Sequence, residues 1–326
     1  MNISIIGGGN IAHALVACMK RDYYDKLFVL TSKPFPSGFI STSVLSNVSS
    51  KGKIDIVTSS PEEIIPYSDL IIFTVPAHIR KDYIKRISPY VREGTLLGSF
   101  PGVAGFNEEI ERYLGKNVNI FASQRVPYIA RIVERGKTVT VNKKNTMLVA
   151  IKKEKEKVKL LLERLLGIKI LLLDSFLEVN LTNSNPLLHS ARLYDIILNN
   201  RINLDTYFYR EWTLDASHFL LKMDEEFMNM VAFLKLKITP LTKHYQVKNE
   251  IELTKKIRSI QAFKDILIPK IKIGDAWYIN PQSRYFREDI KVSMKYILNY
   301  AEKLDIDLPT IRNIYLFLIK EISRSG

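Results

Sequence analysis

A glycine-rich turn near the start of the chain is the first feature whose residue types and spacing could do chemistry. Residues 3–6 form an apolar run that leads into Gly7-Gly8-Gly9-Asn10-Ile11-Ala12, and the apolar residues that follow have helical spacing. A short strand that ends in Gly-x-Gly-x-x-Ala and opens a helix is typical of dinucleotide folds. The glycines admit a pyrophosphate, and the helix N-terminus supplies amide donors. The predicted cofactor contacts in this turn are Gly7, Gly9, Asn10, Ile11 and Ala12.

The end of the second predicted strand indicates which dinucleotide is bound. The strand covers residues 27–30 and is followed by Thr31-Ser32-Lys33, at the place where an NAD-binding domain puts a carboxylate on the ribose hydroxyls. Two hydroxyls and a cation replace that carboxylate, so nothing repels a 2′-phosphate. We therefore predict NADP(H) rather than NAD(H), with Thr31, Ser32 and Lys33 as contacts. The alternative is that these residues only form a polar loop and that a carboxylate comes from elsewhere in the chain.

A third group of candidate contacts follows the most apolar segment of the N-terminal half. Residues 69–77 form a near-continuous apolar run of the kind that makes a central parallel strand. Pro76 would end this strand at the carboxyl edge of the sheet, where open α/β sheets bind their ligands. We expect Val75 and Pro76 to line the cofactor cleft.

Alternating strand and helix patterns explain how these segments would be brought together. Up to about residue 175 the pattern is that of an α/β fold, and beyond it long amphipathic helical patterns replace the strand-like runs. We predict a doubly wound Rossmann-type parallel sheet in a dinucleotide-binding domain, residues 1–178, followed by an all-helical substrate and catalytic domain, residues 179–326. Further predicted strands cover residues 54–57, 95–99, 118–121, 137–141 and 147–151. Predicted helices include one that begins at Pro61 and one over residues 251–268.

Composition excludes several other classes of protein. No window reaches the about 18 apolar residues that a membrane-spanning helix needs, and no secretory signal opens the chain, so we expect a cytoplasmic protein. The single cysteine, Cys18, cannot form a disulfide within the chain, and the five histidines show no metal-binding spacing, so no metal is expected. The net charge of +14 is spread over helical segments of mixed charge. Neither a nucleic acid nor a membrane is therefore an expected partner.

Six short motifs, in the same order over almost the whole chain, resemble those of the octopine/nopaline (opine) dehydrogenase family. They are Pro101-Gly102-x-x-Gly105-Phe106, Pro127-Tyr128-x-x-Arg131, Asn185-Pro186-x-x-His189, Phe208-Tyr209-x-Glu211, Lys222-Met223-Asp224-x-Glu226 and Arg284-Tyr285-x-x-Glu288-Asp289. Two positions depart from the family, since Ala130 stands where a cysteine is frequent and Lys291 where a proline is frequent. These departures concern substrate identity more than reaction class.

The resemblance implies an oxidoreductase that joins the amine of an amino acid to a 2-oxo acid, such as pyruvate, with hydride transfer to an imine. It implies a catalytic His189 that is oriented by the Asp289 carboxylate, and a carboxylate-binding Arg284. Histidine suits this reaction because its pKa lies near neutrality, and arginine suits a carboxylate because it binds bidentately. The expected substrate contacts are Arg131, Asn185 and Tyr209. The expected partners are these small molecules, and formation of a homodimer is left open.

From the residues alone, other interpretations stay open. A lone histidine such as His189 is commonly structural, and an acid at a helix start such as Asp289 is commonly a cap. Two further classes are compatible with the N-terminal motif. One is a simple 2-oxo acid reductase of the ketopantoate or glycerol-3-phosphate type, which relies on a catalytic lysine that no segment here matches. The other is a nucleotide-binding sensor without catalytic activity.

Overall fold

The structure, a computed structural model, describes residues 1–182, 184–202 and 206–324. Contacts within the chain divide it into two units, Met1–Asn180 and Leu181–Gly326. Unit 1 carries the glycine-rich turn, and unit 2 carries His189 and Asp289. Within the described ranges, no helix combines the length and the apolar character that crossing a membrane requires.

Unit 1 alternates strands and helices because short apolar runs are separated by segments with helical spacing. Its strands are β1 (Asn2–Ile6), β2 (Lys26–Leu30), β3 (Gly38–Thr42), β4 (Lys51–Ile54), β5 (Ile56–Thr58), β6 (Leu70–Phe73), β7 (Leu96–Ser99), β8 (Asn119–Ser123), β9 (Tyr128–Glu134), β10 (Thr138–Lys143), β11 (Thr146–Ile151) and β12 (Lys169–Leu172). Its helices are α1 (Asn10–Cys18), α2 (Ala77–Ile87), α3 (Phe106–Leu114), α4 (Lys155–Leu166) and α5 (Leu177–Asn180).

Eight strands form the main sheet, in the order β12-β11-β8-β7-β6-β1-β2-β5. All neighbouring pairs are parallel except β8 with β11. Both faces are buried, since Ile5 of β1 enters one apolar cluster and Ile6 enters the other. The predicted Rossmann-type sheet is confirmed. Because β2, β1 and β6 are adjacent, the three predicted cofactor segments follow neighbouring strands at one edge of the sheet.

A second sheet, in the order β4-β3-β10-β9, packs against α1 and is absent from the sequence prediction. Residues 12–17 of α1 are all buried, which is the pattern of a helix enclosed on both sides. Small side chains allow this approach, and a Cβ on Gly52 of β4 would lie 1.7 Å from the carbonyl oxygen of Val16. The predicted strand at residues 137–141 therefore belongs, as β10, to this second sheet.

Two local predictions in unit 1 are wrong in detail. The strand predicted at residues 54–57 is divided between the two sheets, because Asp55 separates β4 from β5. The Asp55 carboxylate accepts the backbone N–H of Leu27 on β2 at 2.9 Å, which fixes the point where the chain passes from one sheet to the other. The helix predicted to begin at Pro61 is only two short 3-10 helices, Pro61–Glu63 and Ile65–Tyr67. Pro66 lacks the N–H that an α-helix through this segment would use.

Unit 2 is helical, which confirms the predicted character of the second domain. Its helices are α6 (Asn185–Leu198), α7 (Leu214–Phe233), α8 (Leu241–Tyr245), α9 (Glu250–Ser259), a π-helix (Tyr285–Met294), α10 (Lys295–Lys303) and α11 (Pro309–Arg324). One antiparallel hairpin, β13 (Lys270–Ile273) with β14 (Ala276–Ile279), interrupts them.

The helix predicted over residues 251–268 ends early. It begins at Glu250 behind the cap Asn249, and ends at Ser259. Beyond that point the backbone bonds elsewhere: the Ile266 carbonyl accepts from the Phe208 N–H at 2.7 Å, and the Ile268 N–H donates to the Thr206 carbonyl at 3.0 Å. Tertiary pairing therefore replaces the hydrogen bonds that a longer helix would make.

Candidate active site

Helix α6 and the π-helix place a histidine against a carboxylate in the interior of unit 2. His189 follows the first turn of α6, where Pro186 is favoured because its missing N–H would have no helical partner. Its Nδ1 lies 2.7 Å from Oδ2 of Asp289, 100 residues further along the chain. Each residue is only 3% exposed. The pair is therefore shielded from water.

Asp289 is not a helix cap. It is the fifth residue of the π-helix, whose N-cap is Arg284. π-helices are rare and frequently occur at functional sites. The carboxylate is therefore used for the contact with His189, and the capping interpretation is wrong.

The second ring nitrogen of His189 contacts a tyrosine. Nε2 lies 2.8 Å from the hydroxyl of Tyr209, which is itself buried. Because the Asp289 carboxylate only accepts hydrogen bonds, Nδ1 of the neutral imidazole carries the proton and Nε2 accepts from the Tyr209 hydroxyl. Burial, and then the neighbouring Tyr285 phenol, raise the pKa of Tyr209. Its hydroxyl thus stays protonated near neutral pH and can donate.

Aromatic rings enclose this group of residues. The Tyr285 and Phe208 ring centroids lie 4.3 Å and 5.7 Å from that of His189. Tyr209 stacks on Phe263 at 4.4 Å. Packing of this kind restricts ring rotation and keeps the hydrogen-bonded atoms in register.

A buried ion pair on α6 holds the segment that carries Tyr209. Arg192 donates from Nε to the Phe208 carbonyl at 2.9 Å, and its Nη1 lies 2.6 Å from Oδ2 of Asp195. The other Asp195 oxygen accepts from Arg201 at 3.0 Å. Buried charges need such compensation. Sequence reasoning missed this pair, because an arginine and an aspartate three residues apart on a helix have the same spacing whether the pair is buried or exposed.

Arg284 and Asn185 lie at the starts of the two helices that carry the pair. Arg284 is the N-cap of the π-helix and Asn185 is the first residue of α6, and both are exposed. In the part of the chain that the structure describes, neither side chain contacts His189 or Asp289 through a hydrogen bond or an ion pair. Their substrate roles stay predictions.

The glycine-rich turn of unit 1 has the backbone geometry that a phosphate site needs. Gly7 has a φ of +113°, and a Cβ there would lie 2.8 Å from Oγ1 of Thr74 and 2.9 Å from Cγ1 of Val75. At Gly9, the N-cap of α1, no atom of the described residues lies within 4 Å of the Cβ position. Open space beside a helix N-terminus fits a pyrophosphate.

Matched alanine substitutions at these two glycines should separate folding from cofactor binding. Gly7→Ala is expected to lower the free energy of unfolding by about 1–3 kcal/mol, because a side chain is strained there. Gly9→Ala should leave stability unchanged but weaken NADPH binding by about tenfold, or about 1.4 kcal/mol, because the methyl group occupies the open space. Chemical denaturation and fluorescence titration measure the two effects. Wild-type affinity in Gly9→Ala would contradict the assignment.

The other predicted cofactor residues lie around this turn. Thr31 is buried, and its hydroxyl accepts the N–H of Lys33 at 3.3 Å, whereas Ser32 and Lys33 are exposed. Val75 is buried and Pro76 is half-buried at the start of α2. Their contacts with a cofactor stay predictions.

Two further predicted residues have defined partners within unit 1. Asn10, expected to contact the cofactor, uses its side-chain oxygen to accept the N–H of Ile132 on β9 at 2.9 Å. Arg131, expected to contact substrate, is exposed on β9 and donates to the Ala130 carbonyl at 3.0 Å. Ile11 and Ala12 lie in the first turn of α1, half-buried and buried respectively.

Arg135 reaches the glycine-rich turn, and sequence reasoning missed it. Its guanidinium donates to the Gly8 carbonyl at 3.1 Å and to the Lys33 carbonyl at 2.6 Å. The residue lies between β9 and β10, more than one hundred positions from either partner. No local pattern could have connected these segments.

Comparison with known proteins identifies the helical unit. A family model described as the α-helical domain of NAD/NADP octopine/nopaline dehydrogenase matches residues 172–319, which include α6 and the π-helix with His189 and Asp289. Residues 172–319 are therefore similar to the helical domain of the octopine/nopaline dehydrogenases. The resemblance predicted from the motifs is confirmed.

A curated protein aligns with part of this chain. Tauropine dehydrogenase from Arabella iricolor is 31% identical over 155 residues, which are 43% of this chain and 39% of that protein. The chain therefore matches about two-fifths of the length of that relative.

Solved structures of opine dehydrogenases share the whole architecture. Octopine dehydrogenase with NADH and L-arginine has a TM-score of 0.82 at 20% identity and covers 99% of this chain and 90% of that chain. Yersinopine dehydrogenase with NADP⁺ has a TM-score of 0.72 at 13% identity and covers 100% and 93%. At these identities the likeness shows the fold, a Rossmann-type unit followed by a helical unit.

Proposed function

We propose that the protein is an opine dehydrogenase that reductively couples the amine of an amino acid to a 2-oxo acid, with pyruvate as the first candidate. The observation that carries the proposal is the buried His189–Asp289 pair in a unit similar to the helical domain of the octopine/nopaline dehydrogenases. Further support comes from octopine dehydrogenase, whose solved complexes hold NADH with L-arginine and NADH with pyruvate.

His189 is assigned the proton transfers of this reaction. The amine adds to the carbonyl to give a carbinolamine, whose hydroxyl must gain a proton to leave as water. The proton comes from Nε2 of the His189 imidazolium, which must be protonated again before the next turnover. Asp289 holds Nδ1 and stabilises the imidazolium form by its negative charge. One proton is therefore consumed for each hydride transferred.

Substrate carboxylates are assigned to exposed side chains at the helix starts. Arg284 is five residues before Asp289, and its planar guanidinium can hold a carboxylate through two parallel N–H bonds. Asn185 precedes His189 by four residues, one turn of α6, and can donate a further bond. Arg131 is kept as a third candidate contact.

The residues of unit 1 fit a nicotinamide dinucleotide. The open space at Gly9 and the start of α1 suit the pyrophosphate, while Thr31, Ser32 and Lys33 suit a phosphorylated ribose, so NADP(H) is favoured over NAD(H). When bound, the dinucleotide supplies the hydride. Val75 borders the same turn, and Pro76 follows it in the chain.

We assign Tyr209 the role of passing the proton from Nε2 of His189 to the substrate, because its hydroxyl is already hydrogen-bonded to that nitrogen. Tyr209→Phe is expected to lower kcat by about 10²-fold, at the low end of the range for proton-transfer groups. Tyr194→Phe is the matched control, since that α6 tyrosine packs on Phe219 and Phe317. Steady-state kinetics measure both variants. Equal kcat values for Tyr209→Phe and Tyr194→Phe would exclude Tyr209 from the proton path.

The proposed function is tested by following the absorbance of NADPH. Purified protein is mixed with pyruvate or 2-oxoglutarate, with and without a pooled amino-acid mixture. Oxidation that requires both the oxo acid and the amines is expected. Oxidation with the oxo acid alone would contradict the proposal and indicate a simple 2-oxo acid reductase.

A further inference from the structure

The turn between β9 and β10 is fixed against the start of α1 by side chains of that helix. Asn10 Oδ1 accepts the N–H of Ile132 at 2.9 Å, and Nε2 of His13 accepts the N–H of Gly136 at 2.9 Å. Burial lowers the pKa of His13, which keeps Nε2 unprotonated and able to accept. The two contacts flank Arg135. Its position above the glycine-rich turn is therefore held by the fold and not by its own side chain alone.

Arg135 connects the two chain segments that flank the adenosine ribose in dinucleotide folds. It donates to the Gly8 carbonyl in the glycine-rich turn and to the Lys33 carbonyl after β2. Its guanidinium lies 5.1 Å above the ring of Phe35, which supports its flat face. Two of the five N–H groups of an arginine make these carbonyl bonds, so others are available to a ligand.

The charge around Arg135 favours an anion. Lys33, the other cation of this corner, is exposed after β2, and no acid stands among Thr31, Ser32 and Lys33. The neighbouring Glu134 pairs with Lys137 at 2.6 Å on the same turn. Lys33 and Arg135 thus belong to the same corner, and the carboxylate next to Arg135 is already paired with its own lysine.

We propose that Arg135 binds the 2′-phosphate of the adenosine ribose together with Lys33, and so selects NADP(H) from a position in the second sheet. This assignment rests on the proposed dinucleotide function and adds a specificity-determining residue to it. An arginine suits the task because it can bond two phosphate oxygens at once. The second sheet would then contribute to function, since the turn between its strands β9 and β10 carries the residue that distinguishes the two cofactors.

Isothermal titration calorimetry with 2′,5′-ADP and with 5′-ADP tests the assignment without turnover or a known substrate. The wild type is expected to bind 2′,5′-ADP at least about tenfold more tightly, the effect of a charge-assisted hydrogen bond. Arg135→Met should abolish this preference and leave 5′-ADP affinity within about twofold, because methionine keeps an apolar stem on Phe35. Lys51→Met removes one exposed cation from β4, at the other end of the second sheet, and should keep the preference.

Three outcomes would overturn the assignment. Arg135→Met could weaken both probes equally, which would make Arg135 a structural residue of the turn. The wild type could bind 5′-ADP as tightly as 2′,5′-ADP, which would leave no 2′-phosphate site. If the wild type binds neither probe and no NADPH, the proposed dinucleotide function fails as well, and the two failures are thereby distinguished.

Discussion

Replacing His189 by alanine is expected to lower kcat by about 10²–10⁴-fold, the contribution of a general acid–base group. The imidazole contacts both Asp289 and Tyr209. Without it, protonation of the carbinolamine hydroxyl has to come from water. The KM for NADPH should change little, because the predicted cofactor residues belong to unit 1. Steady-state kinetics under saturating substrates measure the effect.

A folding control is needed for this variant because His189 is buried. His189→Gln keeps a polar side chain of similar length toward Asp289 and should lose activity to a similar extent. The thermal melting of both variants and their affinity for NADPH show whether the protein is intact. A well-folded His189→Ala protein with turnover within about tenfold of the wild type would remove His189 from the chemistry.

Asp289→Asn should cause the second large loss, a fall in kcat of about 10²–10⁴-fold. The asparagine amide can offer its N–H to Nδ1, which then becomes the acceptor, so the proton moves to Nε2 of His189. The negative charge that stabilises the imidazolium is also lost. Both effects act through His189, so the double variant with His189→Ala should be no slower than His189→Ala alone.

Asp307→Asn is the matched control, because it removes an exposed carboxylate from the same unit. Its kinetics should equal those of the wild type. An Asp289→Asn protein with near-normal kcat and reduced stability would instead show that Asp289 only supports the fold. Additive losses in the double variant would contradict the proposed coupling between Asp289 and His189.

The parts of the fold that could be predicted from sequence are those that local periodicity encodes. β1, β2 and β6 are short apolar runs buried in the main sheet, and α1 begins where the glycine turn ends. The second sheet could not be predicted, because the exposed positions of β9 include apolar residues, Ile129 and Val133, so that its sequence lacks the apolar–polar alternation of a half-buried strand. The second sheet packs on α1, and this contact depends on the tertiary structure and not on a local sequence pattern.

The candidate site shows a similar division. No spacing rule could pair His189 with Asp289, and only the family resemblance linked them across 100 residues. Tyr209 was expected near substrate, but its bond to Nε2 of His189 depends on how Phe208 is held by Arg192. Arg135 depends on contacts across more than one hundred residues. Long-range packing therefore decides the chemistry that local patterns cannot encode.

The central claim is that a carbon–nitrogen bond is formed between two substrates, and product labelling tests it most directly. The protein is incubated with NADPH, uniformly ¹³C-labelled pyruvate and a ¹⁵N-labelled amino-acid mixture. The products are separated by chromatography, and their masses are determined by mass spectrometry. We expect a secondary amine that carries both labels and that is absent without NADPH and in His189→Ala. Carbon label found only in lactate, with no doubly labelled product, would contradict the account.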